Sequence, residues 1–395
     1  LISFLNVKIP TSTQQQVNLS RKIAIFSLSN KKAFLLIIPL SSLLMILLIP
    51  MNKLDMNPTQ MYSEKYTSYG PDVLWLDKKL GASFPISFKA TSDNGSVSNP
   101  KFLEGLDNFS LWLEKQNEVT HVTSLARTMK SLNKSMHGDD LKMKVIPEDQ
   151  ELSSQYLFFY EMSLPMGLDL NTSISQDRGS TRIAATLREM TSKEYLIFDK
   201  KVSRYLRENN LESTISKPAG FRVIFVYLME AVVNSLLIGV TIGMALIITV
   251  IGFFFRSAYF GFLSSFPNIL PIVSAFGIWA IIDGQIDFMV AVGMGSTLGI
   301  IVDFTVHLLS KYDLARQELN KSPEDAVLYA FEAVGFALIA MTVILALGFS
   351  VLHLVSFLPM HNFAQFSILA FVFALIIDFF LFPNLLVRFD KRKFD

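Results

Sequence analysis

The chain has 395 residues, 51% of them hydrophobic, with 34 phenylalanines and only 17% charged side chains; soluble domains average about 45–50% apolar and about 25% charged residues, so this balance argues against an ordinary soluble globule. A formal net charge of +1 with no basic tract gives nucleic acid nothing to grip. The absence of cysteine excludes disulfides and thiolate metal sites.

Residues 1–32 are polar and basic and read as a cytoplasmic linker; because the chain starts at Leu1, not Met, this stretch is expected to be a connector from a preceding half of a longer protein. Ala33 to Pro50 is the first apolar run, a membrane span at 33–50 near the lower limit of the ~20 residues that cross a bilayer core. It is no ordinary signal peptide, since a long polar stretch precedes it and no small-residue cleavage site follows.

Residues 51–228 are polar enough to face water. Phe84 to Ala90 alternates like a strand, Asn99 to Gln116 like an amphipathic helix, and Val119 to Ser124 like a second strand leading into a helix at Leu125 to Met136. Ser180 to Leu187 then predicts a strand, Ser192 to Asn209 a helix, and Leu211 to Ser216 another strand. Strand, helix, strand thus occurs twice, which predicts an α/β domain of two βαβ units of the split, ferredoxin-like kind. His121 and His137 lack neighbours at metal-ligand spacing and read as surface or strand histidines. With no phosphate loop and no Ser-His-Asp arrangement, neither an enzyme nor a cofactor is expected.

Five more apolar runs follow: Val232 to Phe255, Tyr259 to Ile282, Phe288 to Ser310, Val327 to Val355 and Phe363 to Val387. They predict a five-helix transmembrane domain at 229–388 and a cytoplasmic tail at 389–395. The fold class is therefore an α-helical membrane bundle of six transmembrane helices, arranged one plus five around the α/β domain. Lys and Arg crowd one set of ends: Arg21, Lys22, Lys31 and Lys32; Arg256; Lys311, Arg316 and Lys321; Arg388, Lys391, Arg392 and Lys393. The loops Asp283 to Asp287 and Ser356 to Asn362 have none. The positive-inside rule then puts both termini in the cytoplasm and residues 51–228 on the periplasmic or extracellular side of the inner membrane.

Asp303 lies midway along the fourth span, where a carboxylate costs at least ~2.5–3.5 kcal/mol and must face a bundle interior, a partner or water. Burial there disfavours the charged form, so Asp303 is a candidate for taking up and releasing a coupling ion; a purely structural hydrogen bond to a neighbouring helix is the alternative. His307, four residues on, shares its face and either relays a proton or sits at the interface. Thr342 on the fifth span falls at comparable depth and offers a hydroxyl partner, unless its own helix satisfies it. Asp378 on the sixth span is a supporting polar anchor or a snorkelling end residue, and Glu332 and His353 need no special role. Gly295 and Gly299 are spaced for close helix packing. Pro267 and Pro271 are expected to break or bend the third span.

Phe266-Pro-Asn-Ile-Leu-Pro271, Gly299-Ile-Ile-Val-Asp303-Phe-Thr-Val-His307, Ala346-Leu-Gly-Phe349, and Asp378 followed by Pro383 together resemble one half of a resistance-nodulation-division (RND) transporter, in the MmpL-like, hydrophobe-exporter branch related to sterol-sensing and Patched proteins. The resemblance implies proton-driven, or less often sodium-driven, export of lipids or other hydrophobic molecules, with Asp303 in the position of the coupling acid. Relatives commonly carry a second acid or a Tyr after that acid, whereas Phe304 stands here. Such transporters have two halves, so the expected partners are membrane lipids, a hydrophobic substrate and a second RND half. A SecDF-like helper of protein export shares the one-plus-five plan, and a sterol-sensing-type sensor or scaffold is the non-transporting alternative.

Overall fold

The computed structural model describes residues 14–55, 61–62, 68–80, 84–165, 169–390 and 392. They form two compact units, Leu1–Leu54 with Glu230–Asp395, and Asp55–Met229. In chain order come α1 (Gln14–Ser29), α2 (Lys31–Leu48), β1 (Lys53–Leu54), α3 (Tyr69–Leu80), β2 (Phe84–Thr91), α4 (Pro100–Glu114), β3 (Val119–Thr123), α5 (Leu125–Met136), α6 (Gln150–Ser163), β4 (Ser180–Leu187) and α7 (Ser192–Glu208). There follow α8 (Phe221–Phe254), α9 (Ala258–Ile282), β5 (Gln285–Ile286), α10 (Phe288–Gln317), α11 (Pro323–Ala330), α12 (Phe336–Ser350), α13 (Leu358–Phe380) and α14 (Phe382–Phe389).

Among the described residues six helical stretches are long and apolar enough to cross a membrane: Lys31–Met51, Phe221–Phe254, Ala258–Ile282, Phe288–Gln317, Pro323–Leu354 and Leu358–Phe389. The fifth of these joins α11 to α12 through one π-helical turn, Phe331–Gly335. The expected break at Pro267 and Pro271 does not occur; both prolines are buried inside α9, which runs unbroken from Ala258 to Ile282. In the same stretch Ser264, Ser265 and Asn268 donate to the carbonyls of Gly261, Phe262 and Ser264, while the carbonyls that the prolines leave without an i+4 N–H are those of Leu263 and Pro267.

Glycine lets α9 touch α2. A Cβ on Gly277 would lie 2.6 Å from the carbonyl oxygen and 2.7 Å from the Cα of Met45, and backbone cannot swing aside as a side chain can. Gly277→Val is therefore expected to overpack this contact at a cost of about 1–3 kcal/mol or more. Lower melting temperature of the purified chain would register it, and an unchanged melting point would refute the contact.

Residues 14–29, read as linker, form a helix packed on the six-helix unit. Ser20, Ala24 and Ser27 of α1 are buried, Ser20 lying 3.2 Å through its Oγ from where a Gly335 Cβ would stand. Asn384 donates to Ser27 Oγ at 3.1 Å, and Arg21 pairs with Glu332 at 3.3 Å. That exposed pair contributes at most about 1 kcal/mol; the small buried face does the packing.

The other unit centres on an antiparallel sheet in the order β2-β4-β3. Alternation fixes its faces: Phe84, Ile86, Phe88 and Ala90 of β2 point inward with Ile183, Ala185 and Leu187 of β4. Helices α4, α5 and α7 contribute Leu106, Phe109, Met129, Phe198 and Val202 to the same core. A capping box between Thr191 and Glu194 starts α7. The two expected strand-helix-strand stretches do not make two sheets. They meet in one, because β4 inserts between β2 and β3. Leu211 to Ser216, expected as a strand, turns at Leu211–Ile215 and makes only isolated bridges to β2, Ala90 with Ile215 and Ser87 with Ala219; Pro218, which lacks an N–H, interrupts the run.

Candidate functional site

Helix α10 is held at both ends. At its N-terminus Asp287 accepts from the Val290 N–H at 2.9 Å and from Asn362 at the start of α13, also at 2.9 Å. Burial pushes the Asp287 carboxyl above the usual range, and these donors counter it only in part. At the other end Tyr312 donates to Asp390 Oδ2 at 2.8 Å, and Arg316 Nε donates to the same oxygen at 3.0 Å. Arg392 reaches Asp390 and Asp313 and lies 4.4 Å over the Phe260 ring of α9.

Between these anchors two faces of α10 differ in kind. Val292, Ser296, Gly299, Asp303 and His307 recur at three- and four-residue spacing and are exposed. Asp303 Oδ1 lies 3.4 Å from His307 Nε2, and the two side chains are 51% and 53% exposed. The i, i+4 spacing brings the pair together, and among the described residues the two side chains stay about half exposed. A Cβ on Gly299 would meet nothing within 4 Å and one on Gly295 would meet Leu236 at 3.7 Å, so among the described residues no helix packs closely on Gly299. Phe304, next to Asp303, is fully buried on the opposite side.

The opposite face carries a polar cluster that local spacing does not reveal. Thr305, about 200° around the helix from Asp303, donates to Asp378 Oδ1 at 3.1 Å and lies 3.2 Å from Asn268 Oδ1. Asn268 in turn donates to the Ser264 carbonyl at 2.7 Å. All four residues have no exposed surface, and Asp378 Oδ2 has no hydrogen-bond partner. Asp378 is therefore an interior group of the bundle and not a snorkelling one. Thr305 and Asn268 escaped sequence reasoning; the available signal was Asn268 lying between the two prolines. Thr342 is buried, and its hydroxyl donates to the Leu338 carbonyl of its own helix at 3.0 Å rather than to Asp303. His353 and His361 stack at 5.2 Å near the start of α13.

Beside the cluster lies a cavity of about 450 Å³, lined by Leu236, Val240, Ile272, Met294 and Leu298 among other apolar residues, with Asn52 and Asn268 its polar members. Such a lining suits hydrocarbon better than water, which needs polar partners to enter. Among the described residues no group of His, Asp and Glu could hold a metal ion.

Six helices long and apolar enough to cross a membrane define a multi-pass membrane protein. The MMPL family model matches residues 104–393, more than half of the chain, and the chain belongs to the MMPL family. A Methanocaldococcus jannaschii protein, MJ1562, whose given name calls it a membrane protein, is 26% identical over 156 residues, 38% of this chain and 39% of that one. The match thus spans well under two thirds of the relative's length.

Proposed function

We propose that the protein exports lipids or other hydrophobic molecules across or out of the cytoplasmic membrane, coupled to a proton or alternatively to sodium, as one half of an RND-type exporter. The observation that carries this reading is the Asp303–His307 pair, half exposed on the open face of an apolar helix. Left in lipid, that carboxylate would cost several kcal/mol. A second half of the transporter covering the face removes the cost and places the titratable pair at an interface between halves, where inverted or parallel repeats commonly hold their coupling sites. The cavity among α8, α9 and α10 supports a hydrophobic cargo. Export of Nile red from proteoliposomes containing the full-length protein, strictly dependent on an imposed proton or sodium gradient, is the expected result. Gradient-independent vesicles, with secretion of exported proteins impaired in cells lacking the gene, would point instead to a SecDF-like helper.

In this reading the chain has the one-plus-five plan, and its α/β unit is a porter-like domain outside the membrane. The order β2-β4-β3, with isolated bridges from Ile215 and Ala219 beside β2, supports reading this unit as one split, ferredoxin-like βαβ fold. Basic residues at one set of helix ends support cytoplasmic termini. In a chain without cysteine, Asn94→Cys is expected to react with an impermeant thiol reagent on intact cells, and Lys321→Cys only after lysis. Labelling of the second site alone would invert the topology.

A further inference from the structure

We propose that Asp378, Thr305 and Asn268 form a proton-binding site inside the six-helix unit, separate from the Asp303–His307 face and independent of whether that face couples transport. Three side-chain acceptor oxygens, Asp378 Oδ1, Asp378 Oδ2 and Asn268 Oδ1, gather around one hydroxyl, and Thr305 has a single proton to share among Asp378 Oδ1 at 3.1 Å, Asn268 Oδ1 at 3.2 Å and the Ile301 carbonyl of its own helix at 3.5 Å. The Asn268 amide donates one N–H to the Ser264 carbonyl at 2.7 Å, and its second N–H does not reach Asp378 Oδ2; turning the amide over would set two oxygens face to face at Ser264. Among the described residues Asp378 Oδ2 is left with no partner, on a residue with no exposed surface.

A bare carboxylate in that position would be a buried charge with one hydrogen bond and no cation. The charged and titratable groups on the elements around α13 are all engaged or remote in placement. Asp303 and His307 pair on the other face of α10, and Tyr312, Asp313 and Arg316 belong to the Asp390 end of that helix. Glu332 pairs with Arg21, Lys31 with Glu324, and His353 stacks on His361. Lys22, Lys32, Lys311 and Arg388 lie toward helix ends, and α9 contributes only Tyr259. Among the described residues none of these bonds to Asp378. The missing positive charge is therefore met by a proton taken from water onto Oδ2, giving a neutral acid whose Oδ1 accepts from Thr305. Because Asn268 also lines the apolar cavity, the protonated acid is one hydroxyl removed from a space that suits hydrocarbon.

Infrared spectroscopy of the full chain in lipid nanodiscs tests this. At neutral pH the wild type is expected to show the C=O band of a protonated, buried carboxylic acid. The band persists in Asp303→Asn, vanishes in Asp378→Asn, and moves to higher frequency in Thr305→Val, where the C=O loses its hydrogen bond. A wild type without the band, or a band that survives Asp378→Asn, overturns the site. So does a band unmoved by Thr305→Val, which remains informative if Asp378→Asn fails to fold. Loss of the band on exchanging potassium for sodium at constant pH would replace the proton by a metal cation and overturn the proposal as stated. Failure of the export reading alone would show as gradient-independent vesicles with the band intact.

Discussion

Asp303→Asn is expected to leave the protein inserted and folded yet reduce gradient-driven export of Nile red to the level of protein-free vesicles. The substitution keeps the size of the side chain and its place 3.4 Å from His307, and removes only the ability to change charge. A carboxylate in a span alternates between an expensive charged form and a cheap neutral one, and that alternation is the coupling chemistry Asp303 offers. Asp303 is half exposed among the described residues, so the substitution leaves the packing of α10 intact. His307→Gln preserves hydrogen bonding without titration, and is expected to alter the pH profile of export if the histidine relays the proton and to leave it unchanged if it is interfacial. Thr342→Ala is expected to change export little, because its hydroxyl bonds the Leu338 carbonyl. Undiminished export by Asp303→Asn would remove the coupling role from this half.

Asp390→Ala is expected to cost about 3–5 kcal/mol of stability, the usual penalty for stripping the partner from a buried charge. Asp390 holds Tyr312, Arg316 and Arg392 at 2.8 to 3.0 Å, and Arg316 is itself almost wholly buried. Without the carboxylate a guanidinium remains inside with its charge uncompensated. Acid should mimic the mutation. Burial alone would raise the Asp390 carboxyl, but the bonds from Arg392, Arg316 and Tyr312 outweigh it and hold the group at about 2. Its folded value is thus depressed below the ordinary aspartate value of about 3.9. The stabilisation is accordingly complete above that ordinary value and is lost as pH falls through about 2. Thermal melts of wild type and Asp390→Ala should differ widely at neutral pH and converge in strong acid. A variant that melts with the wild type at neutral pH would show that the network contributes nothing.

Much of this was legible in local patterns. Runs of about twenty apolar residues identify spans because the bilayer thickness sets a length that any window can measure, and the six runs correspond to the six helices. The strands Phe84–Thr91 and Ser180–Leu187 were readable because one face of each is buried, so the alternation is written into consecutive residues. Asp303 and His307 meet because four residues make about one helical turn. Each of these is a property of a short stretch of chain.

Tertiary structure alone decided which face of each helix looks inward. Asp303 and Asp378 are both solitary acids in apolar runs, and nothing in their neighbours says that the first is half exposed while the second is enclosed. The difference lies in how α10 and α13 are rotated against each other, which is set by Phe304, Thr305 and Leu308 packing inward together. Thr305, Asn268 and Asp378 meet across separations of 37 and 73 residues, beyond any spacing rule for one helix. The glycines repeat the lesson: Gly295 and Gly299 have the small-residue spacing, yet Gly277 is where a backbone of another helix arrives. Likewise, insertion of β4 between β2 and β3 brought the strands of the two expected βαβ units into one sheet, because strand order is fixed by the shared core and not by the order of strands along the chain.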